Sequence, residues 1–468
     1  MDGERLPERA TSWITAACLI GAALVLSWPA TRGLSWPIEI DLYRDMGAAQ
    51  ALLEGDWSGD PAYLGERRWY PPLVPMLCAA VSASFDIPLR TVFSHAGLWL
   101  NLLGPVAFFG LVRAWFGPRA ACFALLGFLF LRGSSVPSTH VASYSPWLWP
   151  FNFTQGLTYL TLGALVHAER RRHVLVELSS GILLGLTFLS HPAPALVMAV
   201  AWLAHLGWRL ADERQFLPVV VSLLSVAAPA FLLALYALWP IAAEYGFRTL
   251  NTSPARHIAV SNGEIAKLLV LSINAVGALV CFAALCFPRK LPLPSRASRL
   301  ATTVTGSAAL LLIYGIGAQS LHARGVDLPA AVPAFHFNLV LSALLTAWFG
   351  LGVDKLLELL GQRLGWLSTG RLSVLSVAII ASVAAARAPS YRARYELQHQ
   401  RSESQRLAAR RDLTELYQFA LSVPPDSVFA ADVELSTFAI AGAGRKAICV
   451  NENHSNPYVN WTERCRAQ

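Results

Sequence analysis

The feature that most constrains this chain is a series of apolar segments separated by short polar ones. Most are about long enough to cross the ~30 Å hydrocarbon core of a bilayer as a helix. Of the 468 residues, 14% are charged, against about 25% in soluble domains. We predict an α-helical polytopic membrane protein with about eleven transmembrane helices, in a range of about ten to thirteen. The candidate spans are 12–30, 91–112, 118–132, 148–168, 174–190, 192–208, 217–243, 264–287, 300–320, 332–353 and 372–388.

The positive charges indicate the orientation of these spans. If the N-terminus is inside and the proline-rich segment 71–88 does not cross fully, the inside loops hold sixteen Lys and Arg, and the three later outside loops hold three. This division follows the positive-inside rule, whereas a full crossing at 71–88 would place the basic loops outside. We therefore predict a multi-pass protein of the plasma (inner) membrane with a cytoplasmic N-terminus, and 71–88 as re-entrant or interfacial. The same loops account for the net charge of +8, so we predict no nucleic-acid partner.

Two regions are predicted to lie outside the cytoplasm. The first is loop 31–90, in which apolar residues at helical spacing predict an amphipathic juxtamembrane helix over 41–54, ended by Gly55. The second is 389–468, which we expect to be a small α/β appendage on the transmembrane domain 1–388. In an oxidising compartment Cys449 and Cys465 could form a disulfide. The polar and aromatic segment 450–461 is interpreted first as an ordinary loop, with a carbohydrate-binding surface as the alternative.

Residues 38–73 form the strongest motif: "IEIDLYRDMGAAQALLEGDWSGDPAYLGERRWYPPL". An acid follows the first span, then a surface helix that ends near Gly, then a Pro-Pro-Leu segment that enters the membrane. This order resembles the first external loop of the GT-C superfamily of membrane glycosyltransferases, in the branch of aminoarabinose transferases and protein O-mannosyltransferase-like enzymes. The resemblance implies a GT-C-like bundle and a polyprenyl-phosphate sugar donor.

The resemblance assigns the catalytic acid to Asp41, which stands ahead of the helix. Many relatives have two adjacent acids there, but the next residue here is Leu42. Asp45, one helical turn on, lies on the same face and is the second candidate. A carboxylate near lipid headgroups is partly desolvated, which makes it a better base for an acceptor hydroxyl. The alternative role of Asp41 is a helix N-cap.

Several cations are candidates for binding the leaving phosphate, because charge-assisted hydrogen bonds suit that anion. Arg67 and Arg68 precede Tyr70, and interfacial anchoring is their alternative role. The later external loops carry other cations, for which surface solvation is the alternative. The resemblance makes Arg256 and Arg324 the leading pair among them; His257 is a further candidate, and other histidines are His140, His322 and His336.

The sequence leaves the cofactor open. Some GT-C enzymes use a divalent cation and others do not. Asp41 and His191 are candidate metal ligands, although no ligand spacing supports them.

We therefore predict a glycosyltransferase (hexosyl- or pentosyltransferase) that acts on the outer face of the membrane. It would move a sugar from a polyprenyl phosphate to a glycan, lipid or protein acceptor by inverting displacement. The alternatives are a polytopic transporter or lipid-linked-sugar flippase and a non-catalytic scaffold. The absence of an internal repeat disfavours a transporter.

Overall fold

The structure is a computed structural model of the chain. It describes residues 6–131, 142–214, 216–256, 272–287, 297–326, 328, 332–364, 369–400, 402, 406, 408 and 410–466. Helices dominate this part of the chain, and its regular β-structure is one ladder of two short parallel strands. The position of His140 lies outside the described residues.

The helices follow one another in chain order with short connections. They are α1 (Leu6–Ser27), α2 (Ile40–Leu53), α3 (Leu73–Phe85), α4 (Leu89–His95), α5 (Gly97–Leu100), α6 (Leu103–Phe116), α7 (Pro118–Leu126), α8 (Pro150–Arg171), α9 (Val174–Ser190), α10 (Pro192–Glu213), α11 (Phe216–Tyr245), α12 (Ser253–Arg256), α13 (Ile273–Cys286), α14 (Ala297–His322), α15 (Ala334–Leu364), α16 (Thr369–Gln400), α17 (Arg411–Ser422), α18 (Val433–Leu435) and α19 (Trp461–Arg466). The strands are β1 (Val428–Phe429) and β2 (Lys446–Ala447).

The apolar helices confirm a multi-pass membrane protein. Within the described ranges, seven are long and apolar enough to cross a membrane: Ala10–Ala30, Leu89–Phe116, Pro192–Glu213, Phe216–Tyr245, Arg299–His322, Ala334–Leu364 and Gly370–Leu397. The predicted number of eleven is not confirmed, because other apolar segments form helices of only 10–17 residues. One of these is α3, whose 13 residues span about 20 Å. This length suits the predicted partial insertion of 71–88.

Long helices pack into one apolar core. Helix α9 lies between α8 and α11, and α15 packs against α7 and α13. Helix α16 continues through position 388 to Gln400, so the predicted division between the two domains falls within a helix and remains a prediction.

The C-terminal region forms the predicted mixed α/β appendage. Val428 pairs with Lys446, and Phe429 pairs with Ala447, in the parallel ladder. Cys449 and Cys465 form a disulfide.

The appendage packs against loop 31–90 through several contacts. Arg445 is almost fully buried and donates from both terminal nitrogens to the carboxylate of Glu54, at 2.7 and 2.9 Å. Gly47 lies so close to the appendage that an added Cβ would overlap the carbonyl oxygen of Ala441. The side chain of Asn456 donates to Asp60 at 2.9 Å. Helix α2 therefore lies against both the membrane bundle and the appendage.

Candidate active site

Helix α2 places two carboxylates on either side of one guanidinium. Its bounds, Ile40–Leu53, agree with the predicted 41–54 to within one residue. Arg44 lies 3.3 Å from Asp41 and 3.0 Å from Asp45. The cap position belongs to Glu39, whose side chain makes no capping bond, so the alternative role of Asp41 as N-cap is wrong. Asp41 instead lies in the first turn, where the helix dipole favours an anion.

The two acids differ in exposure. The side chain of Asp41 is 37% exposed, whereas that of Asp45 is 1% exposed. Burial raises the pKa of Asp45 from 3.8 to about 6, although the neighbouring Arg44 acts in the opposite direction. Burial also opposes the charge of Arg44, but Asp45, Tyr70 and Asp41 outweigh it and hold its pKa above the ordinary value. Arg44 therefore remains a cation in a site of low polarity.

A cleft opens beside this charged group. It is small, partly open to solvent and lined by Arg44, Asp45, Ala48, Pro61, Arg68, Trp69, Tyr70, Pro71 and Pro75. The guanidinium carbon of Arg44 lies 3.4 Å from the ring centroid of Tyr70. The predicted residues Arg68 and Tyr70 therefore join Asp45 at one cleft.

Several polar atoms at this cleft lack partners. Arg68 is 7% exposed and donates to the carbonyl oxygen of Asp56 at 3.2 Å. Its Nε and Nη1, together with Nη2 of Arg44 and Oδ2 of Asp45, have no hydrogen-bond partner among the described residues. Burial lowers the pKa of Arg68. Leaving a buried cation incompletely paired is costly, so the arrangement favours an anionic ligand.

The appendage also reaches the site. Nε2 of His454 lies 3.1 Å from Oδ1 of Asp41. Its short helical turn, Glu452–His454, contacts α12, where Ser253 donates to Glu452 at 2.6 Å. The segment 450–461 therefore contains a helical turn that contacts Asp41, in addition to its connecting residues.

The remaining predicted cations that the structure describes are not among the residues that line the cleft. Arg67 is exposed and donates to Glu244 at 3.2 Å and to Ser58 at 3.1 Å. Arg256 ends α12, next to the turn that carries His454. His257 lies outside the described residues, and Arg324 is exposed in the turn after α14.

His191 lies between α9 and α10 and is buried at 3% exposure. Its ring packs 4.2 Å from that of His336, and its Nδ1 accepts the backbone N–H of Ala193 at 3.3 Å. The charges of Arg44 and Asp41 act on its imidazole. His191 therefore borders the candidate site.

Asp41 and His191 are not part of a metal-binding cluster among the described residues, and a divalent cation stays a prediction. The described residues contain no group of three or more His, Cys, Asp or Glu that could hold a metal ion. Oδ1 of Asp41 already faces a guanidinium and an imidazole. We derive no catalytic step through a metal at this position.

Sequence reasoning missed Arg44 and His454. Arg44 could have been found, because residues three apart on a helix lie side by side. His454 carries no such signal, since it meets Asp41 only through the docking of the appendage.

Comparisons with known proteins find solved structures of similar fold, but no match by sequence. No protein-family model matches the sequence, and no curated protein matches it. The solved structures include ArnT from Cupriavidus metallidurans bound to undecaprenyl phosphate, with TM-score 0.57, 15% identity and coverage of 98% of this chain and 88% of that one. They also include the archaeal oligosaccharyltransferase AglB from Archaeoglobus fulgidus in complex with an inhibitory peptide and a dolichol-phosphate, with TM-score 0.61, 12% identity and coverage of 97% and 65%.

The same Archaeoglobus fulgidus oligosaccharyltransferase matches in a complex with Zn and sulfate, with TM-score 0.60, 14% identity and coverage of 96% and 62%. The chain therefore spans under two thirds of that protein's length. ArnT and AglB are both GT-C glycosyltransferases. The chain has the GT-C fold, as the resemblance in loop 31–90 predicts.

Proposed function

We propose that this protein transfers a sugar from a polyprenyl-phosphate donor to an acceptor hydroxyl or amide on a glycan, lipid or protein. The observation that carries this proposal is the cleft, where two buried arginines meet one buried carboxylate beside the exposed Asp41. The GT-C fold and the lipid phosphates bound by ArnT and AglB support the donor class. The lipid bilayer would hold the polyprenyl chain, on the outer face of the plasma membrane.

The donor phosphate would lie in the cleft, against Arg44 and Arg68. Their unpartnered nitrogens supply charge-assisted hydrogen bonds. When the bond between the anomeric carbon and the phosphate oxygen breaks, a phosphodiester becomes a phosphate monoester with one more negative charge. Fixed cations that meet this developing charge stabilise the transition state.

Asp41 would act as the base. Its carboxylate is partly exposed, so an acceptor arriving from outside can reach it. The acceptor atom attacks the anomeric carbon, its proton moves to Asp41, and polyprenyl phosphate leaves from the opposite face. Such a single displacement inverts the anomeric centre. Asp45 is the second candidate, and its buried position beside Arg44 suits orientation of that cation.

The test is an assay of purified protein in liposomes with labelled polyprenyl-phosphate sugars of several hexoses and pentoses. We expect D41N to lose transfer about 100- to 10,000-fold, the usual contribution of a general base, with normal expression and only a small loss in unfolding temperature. The matched control is D426N, because Asp426 is exposed in the appendage.

Wild-type-like transfer by D41N would contradict the assigned base. Labelled donor that crosses the liposome membrane, without any sugar transfer, would instead support the transporter or flippase alternative.

A further inference from the structure

The appendage places an imidazole against the proposed base. His454 contacts the same oxygen of Asp41, Oδ1, that Arg44 contacts, at 3.1 and 3.3 Å. The side chain of His454 is 11% exposed. The contact is therefore largely shielded from solvent on the side of the appendage.

The hydrogen bonds of His454 define which of its nitrogens carries hydrogen. Nδ1 lies 3.1 Å from Oδ1 of Asn451, and that oxygen also accepts the backbone N–H of Asn453 at 3.0 Å. A backbone N–H only donates, so the Asn451 atom is an acceptor and Nδ1 must donate to it. The remaining nitrogen, Nε2, is the one that faces Asp41.

A proton must lie between Nε2 and the carboxylate. With Nδ1 protonated, a neutral imidazole would present the lone pair of Nε2 to an ionised Asp41, and these repel. Because Arg44 also lies 3.3 Å from Oδ1 of Asp41, the ionised form of Asp41 is favoured, and the shared proton then belongs to Nε2.

We propose that His454 is a positioning residue that keeps Asp41 ionised and turns one carboxylate oxygen toward the acceptor. The inference rests on the proposed function, because Asp41 is the proposed base. In the reaction the acceptor loses its proton to Asp41, and nothing is transferred to His454. The imidazolium and Arg44 both contact Oδ1 and so fix the orientation of the carboxylate.

Other charges face this pair from each element around it. Helix α2 contributes Arg44 and Asp45, and Glu452 belongs to the same turn as His454. The charge of His454 acts on Asp45, and His191 interacts electrostatically with Asp41. The docking contacts of Arg445 with Glu54 and of Asn456 with Asp60 keep the turn in place.

The experiment measures kcat, KM and the pH dependence of kcat/KM for H454Q. A cation beside the base favours its ionised form. We therefore expect the acid limb of the profile to move to higher pH in H454Q, with kcat about 10-fold lower and donor KM unchanged. In H454A, added imidazole should restore part of kcat. A wild-type kcat and an unmoved acid limb would overturn the proposal.

The control is H95Q, because Nε2 of His95 lies 3.1 Å from the backbone carbonyl oxygen of Leu34 and His95 is not among the residues that line the cleft. We expect H95Q to leave the pH profile unchanged, since this contact of His95 is with neither Asp41 nor Asp45.

Thermal unfolding separates this proposal from the proposed function. The losses in unfolding temperature of D41N and H454Q should be less than additive in the double variant, because each single change breaks the same contact. Additive losses would mean that Asp41 and His454 do not stabilise each other. This result would overturn the role of His454 even if the wild type transfers sugar. A wild type that transfers no sugar from any donor would overturn the function and, with it, this role of His454.

Discussion

Two clusters of charge, each built around at least one buried carboxylate, differ in how completely they are paired. One is the cleft cluster, formed by Asp41, Arg44, Asp45 and Arg68. The other is the helix-end cluster, in which Arg119 of α7 donates to Asp354 and Glu358 of α15 at 2.5 and 2.8 Å, and Lys355 donates to Glu358 at 2.7 Å. The helix-end cluster thus matches two cations with two anions and joins two helices.

The cleft cluster leaves nitrogens of both arginines without partners within the described part of the chain. Incomplete pairing of a buried cation is costly. A protein that keeps such an arrangement beside a cleft is expected to complete it with a ligand. Of these two clusters, the incompletely paired one borders a cleft, and the completely paired one joins two helices.

Among the tests of this comparison, the largest effect is expected from removing one arginine of each cluster. We expect R68Q to raise the donor KM by about 10- to 150-fold, because a charge-assisted hydrogen bond contributes about 1.5–3 kcal/mol. R119Q should instead lower the unfolding temperature and leave KM unchanged, since it leaves Asp354 buried without its partner. Steady-state kinetics and thermal unfolding in detergent measure both. A raised donor KM in R119Q, or an unchanged donor KM in R68Q, would contradict the assignment of one cluster to ligand binding and the other to stability.

A smaller effect is expected where the appendage docks. In G47A the added Cβ would overlap the carbonyl oxygen of Ala441, and such overpacking costs about 1–3 kcal/mol. We expect a lower unfolding temperature and weaker transfer, because His454 would move away from Asp41. The control is G110A in α6, where a Cβ meets nothing within 4 Å. If G47A and G110A have the same unfolding temperature and the same rate of transfer, the packing of the appendage on α2 does not hold the cleft cluster in place.

The smallest expected effect is a pH dependence of stability from Asp45. Its folded pKa, about 6, exceeds the ordinary value of 3.8, so the folded protein binds this proton more tightly than the unfolded chain. Its contribution to stability is therefore fully present below about pH 4 and is lost as the pH rises through about 6. The unfolding temperature of wild type minus that of D45N should fall over this range and then level off. A difference that rises with pH would mean that Arg44 outweighs burial at this site.

Parts of this architecture could be predicted from local signals. The amphipathic spacing predicted α2, and Gly55 follows it with a φ of +90°, a conformation that favours glycine. The apolar segments predicted a multi-pass bundle, and the motif of loop 31–90 predicted its fold. The number of full spans was less predictable, because apolar composition alone does not distinguish a crossing helix from a short one such as α3.

The sequence by itself determined the membrane class, the position of helix α2 and the acids at its start, because these depend on hydrophobicity and on neighbours within one or two helical turns. Only the tertiary structure decided which groups meet Asp41. Arg68 reaches the cleft through the fold of the loop after α2, and His454 through the docking of a region at the other end of the chain. Such contacts depend on packing between distant segments, which no local pattern encodes.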